Sequence, residues 1–229
     1  MQSIPATGST VEYAPVDLVG GVATPRKLYA QKHDPFMYFA DIRNDPSRMQ
    51  KIVGFDGFAD DLANDRVANF VWISPDQCRD MHGVSSANAA AVGIPDCAFP
   101  DSGLDHKVIA LGDAFVKDTV EKIMKSRAWS RSSAIVLAWD EDDYAGFAGC
   151  CESPIGANGV VLGGAKAPAL VITSRAARPQ QVDTPFNHYS LLRTIEKLWN
   201  LGCLDEACDI REPGLMTSLF TPDDAQGQQ

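Results

Sequence analysis

The stretch AIVLAWDEDD, residues 134–143, places four acidic side chains directly after an apolar run. A short continuous apolar run of this kind is typical of a buried β-strand. In open α/β sheets, ligands bind in the crevice beyond the carboxyl ends of the strands. Two adjacent carboxylates there, Asp140 and Glu141, repel each other unless a hard cation lies between them. The motif therefore indicates a metal site, with a solvated acidic turn as the alternative.

Further strand and helix patterns accompany this stretch: apolar strands at 67–73 and 169–173, and amphipathic helices at 113–128 and 189–200. Asp113 and Asn187 are suited to cap the two helices, and Asp45-Pro46 is typical of another helix start. Continuous apolar strands that alternate with helices favour an α/β fold with a mostly parallel sheet. We expect one domain over residues 1–229, with an irregular segment at 1–24 and a frayed tail at 221–229.

The bulk properties exclude several classes of protein. The formal net charge is −10, and such a surface repels the phosphate backbone of nucleic acids. A small phosphorylated ligand remains possible, because a bound metal inverts the local charge. The sequence contains no apolar run long enough to span a membrane. Residues 1–20 show no signal peptide, since they have neither a basic start nor an apolar core.

Six cysteines lie in loop-like stretches: Cys78, Cys97, Cys150, Cys151, Cys203 and Cys208. The even count permits three disulfides, and six buried thiols are the alternative. The loop-like setting favours an oxidising compartment. A zinc site is disfavoured, because the sequence contains no CxxC pair.

All four histidines also lie in polar, loop-like segments: His33, His82, His106 and His188. Asp80 precedes His82, and Asp105 precedes His106. A neighbouring carboxylate orients an imidazole and favours its cationic form, which can hold a phosphate oxygen or protonate a leaving group. The alternative for any one of them is a structural hydrogen bond. No serine-nucleophile, Walker or dinucleotide motif is present.

Five motifs occur in one order: KHDPFMYF (32–39), WISPDQCRDMHG (72–83), GDAFV (112–116), AIVLAWDEDD (134–143) and NHYSLLRTIEKLW (187–199). Together they resemble the phosphoesterase family of bacterial phospholipases C and acid phosphatases. The likeness to the acid-phosphatase-like branch is greater, since that branch has a cysteine-bracketed end like Cys203 to Cys208. The resemblance runs from about residue 25 to 220, and it implies hydrolysis of phosphate monoesters or diesters, including phospholipid head groups.

The resemblance also implies a fold and a set of site residues. The fold is an alkaline-phosphatase-like α/β/α sandwich. Asp140 and Glu141 are the implied ligands of a divalent metal ion (Ca, Mg or Mn). The implied catalytic residues and the implied substrate-binding residues overlap: His33, His82 and His106 for catalysis, and His33, His106 and His188 for binding. His188 starts a helix, so a capping or orienting role is its alternative.

The sequence departs from the family pattern at its N-terminal end. Family members carry a Glu-Asn motif that completes the metal site and a Ser or Thr nucleophile, and neither is identifiable in this sequence. We therefore expect an N-terminally incomplete sheet, an unknown nucleophile, a chain that is inactive alone and self-association through an exposed sheet edge. The family location is secreted or periplasmic. A phosphate-binding protein without turnover and a purely structural fragment are the alternatives.

Two disulfide pairings follow as expectations once the resemblance is in place. We expect Cys203 to pair with Cys208. We also expect Cys150 or Cys151 to pair with a distant partner.

Overall fold

The computed structural model describes residues 1–99, 106–130, 132–141, 166–175 and 179–220. The chain divides into two compact units, residues 1–128 and residues 129–229, and each is described by itself. Both units contain helices and strands, so the α/β composition is confirmed. Across the described ranges, no helix is long and apolar enough to cross a membrane.

The described residues form four strands and six α-helices. The strands are β1 (Tyr13–Val19), β2 (Val22–Ala30), β3 (Ala134–Ala138) and β4 (Ala169–Thr173). The helices are α1 (Ala40–Arg43), α2 (Pro46–Met49), α3 (Phe58–Ala63), α4 (Ser86–Ala91), α5 (His106–Lys125) and α6 (His188–Leu198). The tail at 221–229, Cys150 and Cys151 lie outside the described residues, so the expectations for them are not addressed.

The first unit begins with an antiparallel hairpin of β1 and β2. Gly20 and Gly21 connect the strands with φ angles of 58° and 81°. Positive φ at both central residues defines the type of two-residue turn that matches strand twist, and glycine adopts it without strain. The hairpin replaces the irregular segment expected at 1–24. The Gly-Gly pair was the available signal, but the strands lack clear alternation, and Leu18 is 78% exposed.

The helices of the first unit differ in their limits from the sequence prediction. Asp45 caps α2, accepting hydrogen bonds from the backbone N–H groups of Ser47 and Arg48, as predicted. By contrast, α5 begins at His106, so Asp113 lies inside the helix instead of capping it. The buried residues of α5 include Val108, Gly112 and Thr119. Because Gly112 and Thr119 are small or polar, the buried face of α5 does not show a continuous apolar pattern of helical period in the sequence.

The apolar run at 67–73 forms no strand in the structure. Phe70, Val71 and Trp72 are all more than 40% exposed. The Trp72 indole N–H donates a hydrogen bond of 3.0 Å to Ser74 Oγ, and its ring meets that of Phe36 edge-on at 6.4 Å. A short apolar run does not distinguish a strand from another packed segment by periodicity alone, and here side-chain contacts fix a loop.

Two hydrophobic clusters form the core of the first unit. One surrounds Tyr29 and includes Met37, Met49 and Ile52. The other contains Val84, Ala89 and the disulfide between Cys78 and Cys97, whose side chains are fully buried. The second cluster contains Cys78 and Val84, which flank residues 79–83. It therefore anchors both ends of the C-terminal part of the motif at 72–83.

The second unit contains the antiparallel pair of β3 and β4, with Ala134 opposite Thr173 and Ala138 opposite Ala169. Both strands occur where the sequence predicted them. Their pairing differs from the mostly parallel sheet that we expected, and neither strand is fully buried. Apolar content does not fix strand direction, because antiparallel neighbours need no crossover helix.

Helix α6 starts with a capping box, as the sequence indicated. Asn187 accepts from the backbone N–H of Ser190, and the Ser190 hydroxyl accepts from the backbone N–H of Asn187. The buried carboxylate of Glu196 accepts a hydrogen bond of 2.9 Å from the Leu204 backbone N–H. This bond holds the segment closed by the disulfide between Cys203 and Cys208, a pairing that is confirmed.

Asp34 is a fully buried acid beside the Tyr29 cluster. Its two carboxylate oxygens and the Tyr29 hydroxyl have no hydrogen-bond partner among the residues that the structure describes. Burial therefore raises the pKa of the Asp34 carboxyl above its ordinary value, and the positive charge of the N-terminal amine opposes this shift. The folded chain retains a proton that the unfolded chain releases, so stability falls as pH rises through this window.

We predict that Asp34→Asn removes this pH dependence. The free energy of unfolding of the variant should rise relative to that of the parent chain as the pH rises above the ordinary carboxyl range, because the buried charge is absent. Urea unfolding at a series of pH values measures the difference. Asp56→Asn, at an exposed position, is the control and should parallel the parent chain. Parallel curves for Asp34→Asn as well would contradict a raised pKa.

Candidate functional site

The loop at 72–83 is attached to the end of β2 by hydrogen bonds. Ser74 Oγ donates to the backbone carbonyl of His33 over 2.7 Å. The Gln77 backbone N–H donates to the Leu28 carbonyl over 3.0 Å, and the Gln77 side-chain amide donates to the Lys27 carbonyl over 2.7 Å. These bonds join positions about 40 to 50 residues apart, so they bring the KHDPF and DMHG motifs together.

Asp76 stabilises the loop from within. Its carboxylate is buried and accepts hydrogen bonds from Ser3 Oγ at 2.8 Å, the Cys78 backbone N–H at 3.2 Å and the Arg79 guanidinium at 2.8 Å. Because several donors satisfy this carboxylate, its charge is compensated inside the fold. Asp76 therefore has a structural role in setting the course of the loop.

Asp80 connects the two histidine motifs of the first unit. One carboxylate oxygen lies 3.3 Å from His33 Nδ1, and the other accepts a hydrogen bond of 2.8 Å from the His82 backbone N–H. The side chains of Asp80 and His33 are 18% and 21% exposed, so the pair is partly shielded from water. The His82 ring is more exposed, and its Nδ1 lies 3.0 Å from the Gly83 carbonyl.

The turn that carries Asp80 and His82 is anchored at both of its ends. The disulfide at Cys78 and a bridge between Val84 and Ala98 tie both of its ends to the second core cluster. Met81 has a φ of 73°, a left-handed conformation that costs about 1 kcal/mol for a residue with a side chain. Such a turn persists because the surrounding contacts determine it.

His106 is not connected with the Asp80 contacts through the described hydrogen bonds. It is the first residue of α5 and its side chain is exposed. In the described parts of the chain, no hydrogen bond or ion pair connects it with His33 or His82. The sequence-based role of His106 in catalysis and binding therefore stays a prediction.

The acidic motif lies in the second unit. Asp140 and Glu141 follow β3, and both are exposed. His188, the first residue of α6, has its Nε2 at 2.8 Å from the backbone carbonyl of Asp140. Asn187 caps the helix, and the His188 ring contacts the backbone that carries the acidic pair. The substrate-binding role of His188 stays a prediction, with an orienting role as the alternative.

The acidic pair suits a hard cation in the type of its donors. Carboxylate oxygens are the preferred ligands of Ca²⁺, Mg²⁺ and Mn²⁺. Among the described residues, no group of three or more His, Cys, Asp or Glu side chains is placed to hold a metal ion. Asp140 and Glu141 are thus a pair of candidate ligands, and the assignment of a metal to them stays a prediction.

Comparison with known proteins finds a family match over part of the chain. Residues 101–202 match the model of the Phosphoesterase family. This match includes His106, the acidic pair and His188. The comparisons support assignment of this chain to the phosphoesterase family. The match thus supports the family resemblance and covers three of the five motifs, those at 112–116, 134–143 and 187–199.

The curated relatives that this chain matches include several with acid phosphatase names. The acid phosphatase of Aspergillus fumigatus is 23% identical over 176 residues, which cover 77% of this chain and 31% of that protein. The acid phosphatase of Aspergillus niger is 26% identical over 176 residues, covering 77% of this chain and 34% of its own length. The probable acid phosphatase of Kluyveromyces lactis is 22% identical over 173 residues, covering 76% and 32%.

The chain thus spans about a third of the length of the curated relatives it matches. No solved structure matches the chain.

Sequence reasoning missed the link between Asp80 and His33. It noted the acid two residues before His82, but the partner lies in a motif 47 residues earlier, and no local spacing reports that contact. It also missed the buried Asp34, which directly follows His33 in the sequence. An acid between a histidine and a proline gives no sign of burial without the surrounding packing.

We predict that Gly112→Ala destabilises the turn at 79–82. An added Cβ would lie 2.5 Å from Met81 Cγ and 3.1 Å from the Arg79 carbonyl oxygen. Overpacking of this kind costs about 1–3 kcal/mol, and the better helix propensity of alanine recovers only about 1 kcal/mol. Chemical denaturation should show a net loss of stability, and the amide signals of the 79–82 turn should shift in NMR spectra.

The matched control is Gly57→Ala. No atom lies within 4 Å of the position that its Cβ would take. We expect a change within about 0.5 kcal/mol for this variant. Equal stability of both variants and the parent chain would show that α5 does not restrain the turn.

Proposed function

We propose that this chain hydrolyses phosphate esters, with His33 and His82 as groups that face the phosphate. The family match and the acid phosphatase names of its relatives support this reaction class. The observation that carries the assignment of the two histidines is the Asp80 carboxylate, which lies against His33 and holds the backbone of His82.

The chemistry of the reaction suits these side chains. Hydrolysis joins a water oxygen to phosphorus, while the ester oxygen leaves and takes up a proton. An imidazole N–H can donate to a phosphate oxygen, and an imidazolium can give its proton to the leaving oxygen. With a net charge of −10, the chain as a whole repels a phosphate ester. Local N–H donors are therefore needed wherever such a substrate binds.

We further propose that Asp140 and Glu141 hold a divalent metal ion, with Ca²⁺, Mg²⁺ and Mn²⁺ as candidates. A bound cation would neutralise charge on phosphoryl oxygens. The described part of the second unit supplies two carboxylates for it, and His188 fixes the backbone of the first through its contact with the Asp140 carbonyl. Within this proposal, His188 is a positioning residue.

Several finer parts of the proposal rest on the resemblance. They include an alkaline-phosphatase-like sandwich, a phospholipid head group as substrate, self-association through a sheet edge and a location outside the cytoplasm. The disulfides at Cys78 and Cys203 agree with an oxidising compartment. No nucleophile is assigned, since no serine or threonine was found in a recognised motif. Phosphate binding without turnover is the alternative function.

The metal assignment predicts a change in stability on metal addition. A ligand that binds only the folded state raises its melting temperature. We expect Mg²⁺, Mn²⁺ or Ca²⁺ at millimolar concentration to stabilise the parent chain, and we expect Asp140→Ala and Glu141→Ala to abolish this effect. Glu206→Ala changes an exposed acid of the same unit and should retain it. A metal response that survives in both site variants would place the cation elsewhere.

The activity itself is tested with chromogenic phosphate esters. We expect the purified chain, supplied with divalent metal, to hydrolyse p-nitrophenyl phosphate or its bis ester, and we expect His33→Gln to lower kcat/KM about 100-fold. The exposed Lys51→Gln should match the parent chain. Calorimetric binding of inorganic phosphate without hydrolysis would favour the binding protein, and neither binding nor hydrolysis would refute both functions.

A further inference from the structure

We infer that Asp80 is a positioning residue that fixes His33 in one tautomer, with the proton on Nδ1. This inference rests on the proposed function only for the role of His33 toward a phosphate ester. The arrangement itself is read from the contacts of the first unit.

The two oxygens of the Asp80 carboxylate have separate tasks. One accepts from the His82 backbone N–H over 2.8 Å, a donor whose position the turn fixes. The other lies 3.3 Å from His33 Nδ1. A carboxylate only accepts hydrogen bonds when ionised, so this contact is favourable with a proton on Nδ1. The neutral His33 ring then has its lone pair on Nε2.

His82 provides an internal comparison. Its Nδ1 lies 3.0 Å from the Gly83 carbonyl oxygen, which also only accepts. The geometry therefore selects the same Nδ1–H tautomer for both rings, through a carboxylate in one case and a carbonyl in the other. The two imidazoles present the same nitrogen, Nε2, as the acceptor of the neutral ring.

The backbone of His33 is fixed independently of its ring. Ser74 Oγ donates to the His33 carbonyl, and the Trp72 indole donates to Ser74 Oγ. Removal of the Asp80 charge should therefore leave the backbone at His33 in place, while it changes which tautomer the His33 ring prefers. This separation makes a local test possible.

The decisive variant is Asp80→Asn, which has one acceptor oxygen in place of two. The His82 backbone N–H retains that oxygen, so the amide NH₂ group faces His33 Nδ1. Two donors cannot bond to each other, and the His33 proton is expected to move to Nε2. Asp96→Asn is the matched control, because Asp96 lies inside the same Cys78–Cys97 loop and pairs with Lys107 on the surface.

Long-range ¹H–¹⁵N NMR spectra distinguish a protonated from an unprotonated ring nitrogen. They are recorded at about pH 9, where an ordinary histidine is neutral. We expect Nδ1–H for His33 in the parent chain and in Asp96→Asn, and Nε2–H in Asp80→Asn. His82 should stay Nδ1–H in all three, which also reports that the variant is folded. His33→Gln and His82→Gln assign the signals.

The result that overturns the inference is an Nε2–H tautomer of His33 in the parent chain, or an unchanged Nδ1–H tautomer in folded Asp80→Asn. The wild-type spectrum alone decides the first point, so a misfolded variant does not remove the test. Failure of the proposed function would appear differently, as an absence of phosphate binding and hydrolysis with the tautomers as expected. Where hydrolysis occurs, Asp80→Asn should lower kcat about tenfold or more with little change in KM. The kcat is calculated per folded molecule from the intensity of the His82 signals, so that loss of folded protein is not counted.

Discussion

The orientation of the His33 ring depends on one carboxylate, that of Asp80, which lies between two segments that are distant in sequence. Asp80 bonds the backbone of its own turn and faces the ring of His33, which follows β2. The bond to the His82 backbone N–H contributes only about 1.5–3 kcal/mol, the range of hydrogen bonds to charged groups. The value of the two contacts lies in the shared acceptor: a movement of either segment disturbs the other, so the two histidines are positioned together.

Much of the local structure could be predicted, because it depends on neighbouring residues. The caps at Asp45 and Asn187 and the strands β3 and β4 were correct, since capping and apolar runs act over a few positions. The start of α5 was placed too late, because Asp113 is of a residue type that commonly caps a helix and Gly112 before it carries no hydrophobic signal. The prediction of strand direction was wrong for a different reason, since strand pairing depends on residues far away in sequence.

The candidate site shows the same division. The histidines and the acidic pair were found from their motifs, and the family match over 101–202 supports the family that those motifs indicated. The contact of Asp80 with His33 was not predictable, because hydrogen bonds from Ser74 and Gln77 bring the two motifs together. A sequence shows which side chains are suited to bind a phosphate, and the packing selects those that meet.

The disulfide between Cys78 and Cys97 has a consequence for the order in which the first unit folds. It joins positions 19 residues apart and encloses both Asp80 and His82. A cross-link of this span removes chain entropy worth on the order of 3 kcal/mol from the unfolded ensemble. Once the disulfide has formed, the closed loop limits the turn that contains His82 to few conformations, even while the rest of the chain is unfolded. The turn can then dock against the end of β2 as one preformed piece, where the hydrogen bonds of Ser74 and Gln77 hold it.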